Sequence, residues 1–122
     1  MTGDSLTCYP IICYYLENYD HVHIFSLTRT YNMTKQLYEK LRKEVDWEHQ
    51  HPSGLIIHAA AFDDSGNNVH VMDIWESEKD LNNFVSNKLM PIMQDNRVPI
   101  PNVEMFSIND ISAYPGIEKY RV

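Results

Sequence analysis

The chain has 122 residues, one domain's worth, and at this size it buries roughly two-thirds of the surface it exposes when unfolded. Hydrophobic residues at 43% and charged residues at 22% exclude a disordered or fibrous protein. Ten Lys and Arg against seventeen Asp and Glu leave a net charge of −7, the wrong sign for binding by phosphate neutralisation, so neither nucleic acid nor an anionic membrane is expected as a partner.

Residues 1–20 differ in character from the rest of the chain. Met1-Thr2-Gly3-Asp4 lacks the positive start of a secretory signal, and the apolar run from Leu6 to Leu16 is interrupted by Pro10. That run is also far short of the roughly twenty residues that span a bilayer. Two cysteines, Cys8 and Cys13, cannot make a disulfide framework, so a cytoplasmic location is expected. Together with His21 and His23 they match no zinc spacing, and no metal site is expected. Tyr9, Tyr14, Tyr15 and Tyr19 crowd this stretch, which reads as an apolar, aromatic arm lying on the sheet edge or across a partner chain.

From His21 to Leu27 the chain is rich in β-branched and aromatic residues and predicts a strand. Met33, Leu37, Leu41 and Val45 then recur every four residues, an apolar stripe on a helix from near Asn32 to Trp47. After the break at His51-Pro52-Ser53-Gly54, Leu55 to Phe62 and Val69 to Trp75 are strand-like and flank a run of turn formers, forming a hairpin. Ser77, with Asp80 three residues on, opens a second helix carrying Leu81, Phe84, Val85, Leu89, Ile92 and Met93 on one side. Pro91 inside that pattern predicts a kink or a break. Val103 to Ile108 is the last strand.

The order β-α-β-β-α-β is the ferredoxin-like α+β pattern: a four-stranded antiparallel sheet with two helices on one face. The domain spans residues 21–110, followed by a tail at 111–122. Two helices cover one sheet face only, yet Leu55, Ile57 and Ala59 point one way and Ile56, Ala60 and Phe62 the other. A second chain is expected to cover the remaining apolar face, which predicts a homodimer.

A turn centred on Ser65-Gly66 sets the hairpin register: Phe62 opposite Val69, Ala60 opposite Val71, His58 opposite Asp73 and Ile56 opposite Trp75. An otherwise apolar face therefore carries His58 and Asp73 together. A buried carboxylate is costly unless paired, and it would hold the imidazole in one tautomer. His58 and Asp73 are the candidate catalytic residues, with His58 as acid or base. Trp75 and Phe62, on the same face, are the candidate substrate-binding residues. The competing reading is a core polar pair that fixes strand register. No Gly-rich loop opens a helix, and no Ser or Cys stands beside His58 as a nucleophile.

These residues give the chain a resemblance to the dimeric α/β-barrel superfamily that includes the antibiotic-biosynthesis monooxygenases. It rests on Gly54 to Ala60 (GLIIHAA), Val71 to Ser77 (VMDIWES), Leu89-Met90-Pro91, Val98-Pro99-Ile100-Pro101 and Phe106 to Asn109. The resemblance is closest to a small bacterial subfamily mostly without an assigned reaction, and it covers about Val22 to Asp110. It implies two sheets packed face to face about a two-fold axis, with a cleft between each sheet and its helices. Relatives oxidise polycyclic phenols without a cofactor, degrade haem or bind small aromatics. Trp75 matches a tryptophan of the haem-degrading branch, but the second-helix histidine of that branch has no counterpart between Asn82 and Met93. The resemblance thus implies a cofactor-independent, monooxygenase-like enzyme on a small apolar or aromatic molecule, with His58 as base. Its alternative is a non-catalytic dimer that binds a small ligand or is purely structural.

Overall fold

The computed structural model describes residues 22–122. The expected arm, with Cys8, Cys13 and His21, lies outside the described residues. Strands β1 (Ile24–Thr30), β2 (Leu55–Phe62), β3 (Val69–Trp75) and β4 (Asn102–Ser107) form one antiparallel sheet in the order β2-β3-β1-β4. Helix α1 (Lys35–Val45) follows β1, and a second helical run, α2 (Glu78–Phe84) to α3 (Met90–Asp95), follows β3. The ferredoxin-like α+β fold read from the sequence is the fold observed.

Strand β1 begins three residues later than the sequence suggests and continues through Thr28, Arg29 and Thr30. These find ladder partners on both sides, in β3 and β4, or on the β3 side alone. Helix α1 is shorter than expected at both ends. Thr34 caps it, its hydroxyl accepting the Leu37 N–H at 3.1 Å, and Asp46 ends it in the left-handed region at φ 64°. That reversal directs Trp47 back toward the sheet instead of along the helix axis.

The hairpin register holds from Phe62–Val69 to His58–Asp73 and then changes. Leu55, not Ile56, stands opposite Trp75, because a β-bulge between Leu55 and Ile57 adds one residue to β2. The bulge moves Leu55 to the helix-covered side, where it packs on Trp75 and Leu81, and leaves Ile56 exposed. Gly54, at φ 85°, turns the chain into the strand, and its carbonyl accepts the Glu76 N–H at 2.7 Å. A Cβ at Gly54 would run into the Asp80 side chain.

Ser77 caps α2 as read from the sequence, accepting the Asp80 N–H at 3.1 Å while its hydroxyl donates to the Asp80 carboxylate at 3.0 Å. The irregularity foreseen at Pro91 takes the form of a wide π turn over Val85–Leu89, in which the Met90 N–H bonds to Val85 O. A proline has no N–H and its ring crowds the carbonyl four residues back, so widening the preceding turn relieves both problems.

Two clusters form the core between sheet and helices. Met33, Leu41, Val69, Met93 and Val98 fill one end. Ile24, Trp75 and Leu81 fill the other, with Leu55, Phe84 and Val85 packed on them. The opposite sheet face carries no helix. The register places Ile57, Ile74, Phe25 and Phe106 in one row across it, and Ala59, Met72, Leu27 and Glu104 in the next. The tail contains a 3-10 turn at Pro115–Tyr120. Among the described residues no helix is long and apolar enough to cross a membrane.

Candidate functional site

Between the two core clusters, on the covered face, β1, β3 and β2 present Ser26, Asp73 and His58 side by side in one row. His58 Nδ1 lies 2.6 Å from Asp73 Oδ1, and both side chains are close to nine-tenths buried (13% and 11% exposed). An ionised carboxylate only accepts, so Nδ1 carries the proton and donates it. The other ring nitrogen, Nε2, is 2.9 Å from the Tyr38 hydroxyl. With Nδ1 protonated, Nε2 of the neutral ring is an acceptor, and Tyr38 donates to it. The three side chains form a directed chain, Tyr38 O–H to His58 to Asp73.

Trp47, turned inward by the Asp46 cap, stacks on the imidazole with ring centroids 4.5 Å apart and planes inclined 26°. Phe84 continues the aromatic wall at 5.3 Å from Trp47 and 5.5 Å from Trp75. Burial pushes the Tyr38 phenol above its ordinary pKa, and the Arg42 guanidinium one helical turn on acts in the opposite direction. Arg42 is itself fixed by Glu48 at 2.9 Å.

Two concavities meet at this wall. A crevice of about 80 Å³ between sheet and helices is lined by Tyr38, His58 and Asp73 together with Met33, Val69 and Met93 of the core. A cavity of about 370 Å³ lies outside it, between the start of β2 and the C-terminal turn, with Ile56, Ile117 and Tyr120 among its walls. Arg42, Trp47 and His58 line both.

The structure therefore brings the sequence-predicted pair His58 and Asp73 together, in the register read from the turn. Trp75 and Phe62 sit elsewhere. Trp75 is fully buried beneath Phe84, Phe62 packs edge-on against Tyr38 at 5.8 Å, and neither is on the walls of these two concavities. Sequence reasoning missed Tyr38 and the inward position of Trp47. Tyr38 lies next to Leu37 in the apolar stripe of α1, the one signal that placed it near the core. Ser26 Oγ and Trp75 Nε1 are buried with no hydrogen-bond partner among the described residues. No cluster of three or more metal-ligating side chains occurs among the described residues.

Solved structures share this architecture. The cofactor-independent oxygenase SnoaB from Streptomyces nogalater superposes with a TM-score of 0.58 at 11% identity, covering 74% of this chain and 96% of that one. A protein of unknown function from Nitrosomonas europaea gives 0.61 at 12%, covering 80% and 99%. A Mycobacterium tuberculosis protein gives 0.58 at 10%, covering 75% and 99%. At these identities the likeness is one of fold, the ferredoxin-like fold of the antibiotic-biosynthesis-monooxygenase type. No family model and no curated protein matches the sequence.

Proposed function

We propose that the chain is a homodimeric, cofactor-independent monooxygenase-like enzyme acting on a small apolar or aromatic molecule, with His58 as the base and Asp73 holding it in position. The observation that carries this reading is the buried His58–Asp73 pair at 2.6 Å, set where an outer cavity of about 370 Å³ meets the crevice under the helices. Volumes of this order accept small organic ligands. The stacked Trp47 offers an apolar surface to a flat ring.

Cofactor-free oxygenation starts with loss of an acidic proton, which a positioned histidine takes and a buried carboxylate stabilises as imidazolium. For a methylene flanked by aromatic rings, the carbanion then gives electrons to dioxygen. One oxygen atom stays on carbon as the ketone and the other leaves as water. SnoaB, of like fold, is a cofactor-independent oxygenase, which supports this class of chemistry. Dimerisation is supported by the uncovered row of Ile57, Ile74, Phe25 and Phe106, too apolar to face water.

The test is oxygen uptake with a panel of polycyclic phenols and no added cofactor. Wild type should consume oxygen with at least one of them, and His58→Gln should lose about a hundredfold or more of that rate. An unchanged rate in the variant removes His58 as the base. A second reading, a non-catalytic dimer organised by a core polar pair, is favoured by the closure of the network, since Tyr38 already occupies Nε2. In that case His58→Gln lowers stability and leaves ligand binding unchanged.

A further inference from the structure

The direction of the hydrogen bonds limits what His58 can do. The Nδ1–H donates its hydrogen bond to Asp73, so the one basic lone pair of the neutral ring is at Nε2, and that lone pair accepts from the Tyr38 hydroxyl at 2.9 Å. The base is therefore engaged from within the protein. A ligand proton reaches the imidazole only through the oxygen of Tyr38, or after Tyr38 has left.

We propose that Tyr38 is the group that exchanges a proton with the ligand, relaying it to His58, and that the ligand is a weak acid of phenol or enol strength whose anion is held by Arg42. This rests on the site being the ligand-binding one described above. In the relay, the Tyr38 oxygen takes the ligand's proton as its own O–H bond breaks and that proton moves to Nε2. The products are the ligand anion, an unchanged tyrosine and an imidazolium held between Tyr38 and Asp73. No electrons are exchanged.

Three features support the assignment. Tyr38 is on the wall of the crevice that His58 also lines, and its hydroxyl is the group that meets Nε2. Arg42 follows it by one turn of α1 and lines both concavities, placing a cation where the anion forms. The crevice, at about 80 Å³, is smaller than the apolar cavity of roughly 150 Å³ that takes up a benzene, so it admits the acidic end of a ligand whose ring stays in the outer cavity.

The probe is 4-nitrophenol, whose anion absorbs visible light, added to the full-length chain under argon at pH 6. Bound to wild type, its ionised-to-neutral ratio should exceed that of the free probe about tenfold. Tyr38→Gln should return it to the free value. The glutamine can still donate to Nε2 but cannot relay a proton, so it tests the assignment without leaving the imidazole unpartnered. Arg42→Gln should weaken binding of the nitrophenolate about tenfold and leave nitrobenzene, read by tryptophan quenching, unchanged. The proposal is overturned if Tyr38→Gln ionises the probe as fully as wild type, or if wild type binds it neutral or not at all. Oxygen plays no part in this readout. A chain that ionises the probe and oxidises no phenol refutes the oxygenase reading alone.

Discussion

Each face of the sheet carries some residues that the other would ordinarily hold. Beneath the helices, where apolar side chains are the rule, β1 sets Ser26, Thr28 and Thr30 at alternate positions, and β2 and β3 add His58 and Asp73. Ser26 is 1% exposed and Thr30 5%. On the uncovered face, Phe25, Leu27 and Phe106 occupy positions that a monomer would give to charged residues, and Phe106 is 51% exposed. A polar network under cover lies in a low dielectric, where its hydrogen bonds are stronger, and apolar side chains left on an open face offer area to a partner. The difference is what the proposed function uses: a small molecule against the covered face and a second sheet against the open one.

Removing the polar character of the covered face should have the largest effect. Asp73→Ala leaves the largely buried His58 Nδ1–H without its acceptor, and should cost about 3 kcal/mol in urea unfolding. A cost below about 1 kcal/mol would mean that the pair is solvated and the two faces are less distinct than their burial implies. The reciprocal change is Ile74→Glu on the open face. It should raise the dimer dissociation constant about a hundredfold, or about 2.7 kcal/mol, seen by light scattering as a shift toward the single-chain mass. A dimer of unaltered affinity would show that this face is not the interface.

Gly54→Ala tests the turn that sets His58 on the covered side. The substitution meets a left-handed backbone and the Asp80 side chain together, and should lower stability by about 2 kcal/mol. The smallest effect lies outside both faces, at the exposed end of α1, where His49 Nδ1 bonds the Asp46 carboxylate at 2.7 Å. That bond raises the His49 pKa. A raised value means the stabilisation is fully present below the unfolded pKa of about 6.5 and is lost as pH rises through the folded one. Asp46→Asn keeps a residue that tolerates the left-handed cap and removes the charge. Its melting temperature should fall slightly below wild type at pH 5.5 and match it at pH 9.

Much of the fold was legible because its signals are local. Both hairpin strands have the bounds read from the sequence, and the turn fixed their pairing as far as His58–Asp73. Beyond that point the bulge at Ile56 intervened, and a run of three aliphatic residues, Leu55-Ile56-Ile57, carries no alternation to reveal an inserted one. Half of the site was hidden for a related reason. Trp47 reaches His58 through a single left-handed residue at Asp46, and Tyr38 through packing between elements twenty residues apart. Neither is a pattern of period two or 3.6, so neither shows in periodicity. Adjacency to Asp73 along the strand makes Trp75 read as a ligand contact, and the strand pattern carries no sign of its complete burial under Phe84.

The wide turn at Val85–Leu89 does more than accommodate Pro91. Leu81 and Met93, the buried residues at either end of the run, are twelve positions apart. Twelve steps of an α-helix turn through about 1,200°, which would leave the two side chains roughly 120° apart around the axis. A π turn behaves as one surplus residue, so the effective count is eleven and the offset shrinks to about 20°. The helix thus contains one letter more than its two anchors need, stored as slack at the proline. Shortening this run by one residue between Val85 and Leu89 leaves both anchors in phase. The same deletion in α1, which has no slack, would rotate everything beyond it, Tyr38 or Arg42 included, away from its partner.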